Sequence, residues 1–148
     1  MPFPIIRLGE VYLNYAEALN EYYGESQHNE VLKYLNAIRK RAGIAPYEGS
    51  YSQEEMREMI RHERKIELCY ECQRFFDVRR WFIAHGPNGA FNHNEYGLDM
   101  SKGENATDKE FFSMTEAAIK RFDIKHYLMP IKASECELNP ELVQAPFY

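Results

Sequence analysis

Apolar residues recur at helical spacing over the first eighty positions of this chain, and the breaks in that rhythm are as informative as the rhythm itself. Leu8, Tyr12, Tyr15, Leu19 and Tyr22 follow one another at steps of three or four, which predicts a helix over residues 7–23 closed by Gly24. Val31, Leu35, Ile38 and Ala42 predict a second over residues 29–42, stopped by Gly43 and Pro46. The short polar turn between them makes the two an antiparallel pair. Leu8-Gly9-x-x-Tyr12 matches the opening of a tetratricopeptide repeat, but the first helix outruns that repeat and no second copy follows. Ser52 and Glu55 form a capping box ahead of a third, longer helix with Met56, Met59, Ile60, Ile66 and Leu68 as its apolar contacts. That helix is expected to break near Glu71-Cys72 and to resume from Arg74 to Phe82.

Charges interrupt this third pattern on the wrong face. Glu63, Glu67, Arg74 and Asp77 lie at steps of four, seven and three, along the same broad stripe as Ile60, Tyr70 and Trp81. A solvated helix keeps its charges opposite its apolar residues. Sharing the face implies burial, and an unpaired buried charge costs several kcal/mol, so partners must be supplied together. Glu63, Arg64, Glu67, Arg74, Asp77, Arg79 and Arg80 are therefore read as a structural charge network, with Arg64, Arg74, Arg79 and Arg80 as the neighbours that neutralise the two glutamates.

From 85 to 110 the periodicity dissolves into Gly, Asn and Pro signals, which predicts a long loop. The tail offers one strand around residues 122–131, a short helical turn capped by Ser134, and an extended end. The expected fold is mainly α: a tetratricopeptide-like helical pair plus a long helix, then a long loop and a short extended or β C-terminal segment. A chain of 148 residues suits one domain spanning 1–148.

Composition narrows the function. A net charge of −5 with acidic and basic residues interspersed leaves no basic patch, which excludes a nucleic-acid surface. No apolar run approaches a membrane span. The N-terminal stretch lacks the basic start and apolar core of a signal peptide and enters a helix almost at once, as though cut from a longer protein. Three cysteines make no disulfide framework.

Each chemical motif meets a plainer reading. His62-Glu63 begins the zinc-protease pattern H-E-x-x-H, but Ile66 stands where the second histidine is required. Cys69-x-x-Cys72 follows a helical run instead of a strand, so two buried, inert thiols are expected, and neither metal nor cofactor. Glu63 and Glu67 sit one turn apart like a glycosidase pair, yet arginine partners lower a carboxyl pKa where a catalytic acid needs it raised. The loop aromatics Phe91 and Tyr96, set among Asn88, Asn92 and Asn94, could stack on a sugar ring while the amides bond its hydroxyls, or tuck beneath the loop as a satellite core. Asn105-Ala106-Thr107 matches a glycosylation sequon.

Taken in order, these segments resemble the C-terminal part of the SusD/RagB family. LGEVYLNYAEALNE is similar to the family's first helix here, and Asn36-Ala37-Ile38-Arg39 with Arg41-Ala42-Gly43 to its N-x-x-R-x-R-A-G stretch. Glu63-Arg64, Glu67-Leu68, Arg74, Asp77 and Arg79-Arg80-Trp81 match its E-R-x-x-E-L-x-x-E-G-x-R-x-x-D-L-x-R-W signature. Tyr127-Leu128-x-Pro130-Ile131 and Asn139-Pro140-x-Leu142-x-Gln144 resemble its closing motifs. Cys72 replaces the signature glycine, which suggests a helix that continues where the family turns; Lys132, Ala145 and Phe147 also depart from the pattern. The resemblance implies a non-enzymatic, glycan- or nutrient-binding lipoprotein on the surface of the cell outer membrane. It implies an oligosaccharide ligand, and as partner a SusC-like TonB-dependent outer-membrane transporter. Asn92, Asn94 and Tyr96 are the candidate ligand contacts. Two rivals remain: a repeat-like helical module that binds protein without glycan, and a glycan hydrolase acting through Glu63 and Glu67.

Overall fold

A computed structural model describes residues 6–148 apart from Ala106. The first five residues of the N-terminal stretch, and with Ala106 the centre of the sequon, lie outside the described residues. The protein is mainly helical, with α1 Leu8–Tyr23, α2 His28–Ala42, α3 Gln53–Glu67, α4 Gln73–Arg80 and α5 Ala133–Leu138, two 3-10 turns, and two strands, β1 Asn94–Asp99 and β2 Ser113–Ile119. It divides into two compact units, residues 1–75 and 76–148, with the division falling inside α4.

In the first unit α1, α2 and α3 pack about a core of Leu13, Ala16, Leu19, Val31, Leu35, Ile38, Met56, Ile60 and Leu68. The expected stripe on α1 is rotated by about one residue. Leu13 and Ala16 are buried, while Leu8, Tyr15 and Tyr22 are exposed. Tyr12 instead flanks the core beside Tyr34, their ring centroids 5.2 Å apart, and the exposed Tyr15 meets the same Tyr34 ring edge-on at 5.0 Å. A tyrosine can cover an apolar edge and keep its hydroxyl wet, so tyrosine spacing misplaces the buried line.

The helix ends follow their sequence signals. Ser52 closes a capping box: its hydroxyl accepts from the Glu55 N–H, and the Glu55 carboxylate accepts from the Ser52 N–H at 2.8 Å. Gly43 ends α2 in the left-handed region, its N–H reaching back to carbonyls of the last turn. Ser134, in contrast, lies inside α5 and caps nothing, because Lys132 occupies the N-cap.

Between α3 and α4 the helix turns and does not continue as expected, and Cys72 adopts left-handed backbone without being glycine. Tyr70 and Cys72 have φ of 66° and 60°. Left-handed backbone in a non-glycine residue costs of order 1–3 kcal/mol and persists only where the surroundings over-determine it. The expected burial of the thiols is also overturned, since Cys69 and Cys72 are both exposed.

The second unit corrects the predictions most. The expected loop of 85–110 contains β1, which pairs antiparallel with β2 from Asn94 opposite Ile119 to Asp99 opposite Ser113. A register shift between Glu95 and Tyr96 interrupts the ladder. Asn, Gly and Asp are poor strand formers, and Gly97 hides the alternation; only the pairing makes the segment extended. The strand expected over 122–131 is instead a 3-10 turn, Ile124–Tyr127. Asp123 and His126 cap it reciprocally, the Asp123 N–H donating to His126 Nδ1 at 2.9 Å. Farther on, the Gln144 side chain closes the tail onto Ile131, accepting from its N–H and donating to its carbonyl, each at 2.8 Å.

Candidate functional site

The charged stretch resolves into separate clusters. On α3, Glu63 is 4% exposed and Arg64 3%. Glu63 Oε1 accepts from Arg39 Nη1 and, at 2.8 Å, from the Tyr47 hydroxyl. The Arg39 guanidinium stacks on the Tyr47 ring 3.9 Å from its centroid, and its Nε donates to the Ala45 carbonyl at 2.7 Å. Burial, reinforced by the bond to the Glu63 carboxylate, pushes the Tyr47 phenol up to about 12. Asn36 anchors the same loop through two bonds to the Tyr47 backbone, at 2.7 and 3.0 Å.

Glu67 forms the next cluster. Arg7 Nη1 donates to it at 2.5 Å, and Arg41 Nη2 donates to its two carboxylate oxygens at 2.7 and 2.6 Å. Burial alone would raise its pKa; the bonds from Arg7 and Arg41 outweigh that and hold it below the ordinary carboxylate range. Arg7 also grips Glu71 through Nε at 2.8 and 2.9 Å. Arg64 donates to Asn14 Oδ1 at 2.6 Å, with Glu17 3.7 Å away. In the second unit Arg80 Nε donates to Asp77 Oδ1 at 2.9 Å, and Arg79 donates to the His126 and Tyr127 carbonyls. Arg74 is half-buried on α4.

The arginines that neutralise Glu63 and Glu67 are therefore Arg39, Arg7 and Arg41, and not Arg64, Arg74, Arg79 or Arg80. Sequence proximity misled because a buried face meets other elements, here the end of α2 and the residue before α1. The motif pair Arg39 and Arg41 was the available signal, since two arginines in the last turn of a helix stand where a neighbouring acidic face can reach them. Among the described residues no group of three His, Cys, Asp or Glu side chains is placed to hold a metal ion.

The three candidate ligand contacts are treated unequally by the fold. Asn92 is committed to the loop, its Nδ2 donating to the Gly86 carbonyl at 2.8 Å. Asn94 and Tyr96 share one face of β1. Asn94 donates to Glu116 Oε2 at 2.5 Å and accepts from Arg121 Nη1 at 3.4 Å. Tyr96, opposite Glu116, is 62% exposed, and the cross-strand pair Leu98 and Met114 beside it is exposed as well. The hairpin thus presents a strip of Tyr96, Leu98 and Met114 ending in the polar pair Asn94–Glu116. Elsewhere, in the first unit, a polar hollow of about 260 Å³ is lined by Glu25, Ser26, His28, Asn29, Gly49, Ser50 and Tyr51.

A profile of the SusD family matches residues 1–148. The chain belongs to the SusD family. A SusD-like protein from Bacteroides fragilis NCTC 9343 superposes with a TM-score of 0.79 at 34% identity, over 97% of this chain and 25% of that one. A SusD-like carbohydrate binding protein from the same strain gives a TM-score of 0.71 at 30% identity, over 95% of this chain and 28% of that one. SusD-like protein P25 of Formosa agariphila is 31% identical over 145 residues, 95% of this chain and 23% of that protein. This SusD-family chain therefore spans about a quarter of the length of such relatives. No described helix is long and apolar enough to cross a membrane.

Proposed function

We propose that this chain is the C-terminal part of a carbohydrate-binding protein that captures oligosaccharide at the outer-membrane surface and passes it to a SusC-like TonB-dependent transporter, breaking no bond. The observation that carries the reading is whole-chain membership of the SusD family, joined to a structural neighbour described as carbohydrate binding. Tyr96 is the contact we assign to the sugar: an exposed aromatic face stacks on a pyranose ring, and the Asn94 amide beside it can bond hydroxyls. Asn92 takes a supporting part by holding the loop. The charge clusters on α3 and α4 serve the frame. A glutamate held below the ordinary carboxylate range by two arginines, as Glu67 is, makes a poor general acid at neutral pH, which argues for binding over hydrolysis.

Calorimetry with a panel of defined oligosaccharides on the chain, on Tyr96→Ala and on Tyr51→Ala tests the assignment. Saturable binding lost in Tyr96→Ala alone, with unchanged thermal unfolding, supports it. Loss in Tyr51→Ala alone moves the contact to the polar hollow. Release of reducing ends that disappears in folded Glu67→Gln would overturn the non-enzymatic reading.

A further inference from the structure

The turn between α3 and α4 holds two features that nothing in glycan capture uses. Cys69 and Cys72 are both exposed free thiols, three positions apart in one continuous turn, while Cys136, in the second unit, is half-buried. The turn is drawn tight by the Glu71 N–H on the Leu68 carbonyl at 3.1 Å and the Cys69 N–H on the Ile66 carbonyl at 3.3 Å. It also carries the left-handed Tyr70 and Cys72, with Tyr70 fully exposed between the cysteines. Buried packing of Tyr70 therefore cannot be what holds this unfavourable backbone in place. These two bonded turns, 66–69 and 68–71, overlap the Cys69–Cys72 pair; residues three positions apart across a tight turn have a Cα separation under about 7 Å, and disulfides span about 4.4–6.8 Å.

We propose that Cys69 and Cys72 are a modification site that closes to an intrachain disulfide across this turn. The oxidant is the disulfide of a thiol–disulfide exchange partner. The thiolate of one cysteine attacks a partner sulfur, forming a mixed disulfide and expelling one partner thiolate, which takes up a proton. The second cysteine, as thiolate, attacks the chain sulfur of that mixed disulfide and expels the second partner thiolate. The chain loses two electrons and two protons, and the partner disulfide is reduced to two thiols. The cross-link fixes the left-handed backbone at Cys72 without calling on glycine there.

The test equilibrates the full chain with oxidised and reduced glutathione, then alkylates free thiols and maps the tryptic peptide 66–74. Expected are a fall from three free thiols to one and a peptide two hydrogens lighter, with Cys136 alkylated. Under the same buffer Cys72→Gly should form no intrachain link: Cys69 is recovered free or carrying one glutathione, Cys136 is alkylated, and the circular dichroism spectrum is unchanged. Three free thiols in the parent chain, a peptide carrying two glutathiones, or a link to Cys136 in either chain would each overturn the proposal.

Discussion

Removing the Glu63 carboxylate is the sharpest probe of the α3 frame. Glu63→Ala deletes the acceptor shared by Arg39 and the Tyr47 hydroxyl at a position 4% exposed. Breaking a buried ion pair from one side costs about 3–5 kcal/mol, because the remaining charge stays desolvated. Arg39 keeps its bond to the Ala45 carbonyl and its stack on Tyr47, and its side chain is 15% exposed, so the low end applies: about 3 kcal/mol. Glu63→Gln leaves an acceptor for Tyr47 and loses only the charge, about half as much, ~1.5 kcal/mol. The double change Arg39→Met with Glu63→Met removes both charges and should cost far less than the sum of the single losses. Urea unfolding followed by far-ultraviolet circular dichroism reads the effect, since α1, α2 and α3 all belong to the first unit. A parallel spectrophotometric titration should show the Tyr47 phenol falling from about 12 towards the ordinary tyrosine value in Glu63→Gln. A Glu63→Ala cost below about 1 kcal/mol would refute the reasoning, since that is the worth of a surface pair.

Other outcomes follow from the same contacts. Acid should weaken the first unit through Glu67: its folded pKa lies below the unfolded one, so its contribution is whole above about pH 4.3 and lost as pH falls through the folded value. Acid titration of Glu67→Gln should lack that component. Alkali acts in the opposite sense through Tyr47, whose stabilising term is complete below about pH 10 and disappears as pH rises through about 12. Ser52→Ala should cost about 1 kcal/mol in urea unfolding by opening the capping box. Gly9→Ala should push the Arg7 and Glu67 side chains apart, since a Cβ there would lie 2.6 Å from Arg7 Nη1 and 2.8 Å from Glu67 Oε1, and urea unfolding across acid pH should show a smaller Glu67 component.

What could be read in advance was whatever repeats locally. The capping box of α3, the glycine stop of α2 and the three-helix order depend on residues a few positions apart, and periodicity reports such spacing directly. The arginine partners of Glu63 and Glu67 come from more than twenty and up to sixty positions away, beyond the reach of any window. The β1–β2 hairpin was invisible for a related reason. Its strands have weak intrinsic preference, and each becomes extended only because the other is there. Tyr96 stands out in the sequence as an aromatic among amides, and its exposure on the hairpin is a structural fact, whereas the commitment of Asn92 to the Gly86 carbonyl depends on how the loop closes.

The amide of Gln144 acts as a surrogate for an absent neighbouring strand: it offers Ile131 one donor and one acceptor in the spacing a backbone would present. Such a clasp recognises main chain only and is blind to whatever side chain position 131 carries. Residues 132–143 can therefore vary in identity, and even in number, while the terminus still finds its seat. A glutamate at 144 would still accept from the Ile131 N–H but, lacking the donor, would leave the Ile131 carbonyl unmatched although it has the same shape.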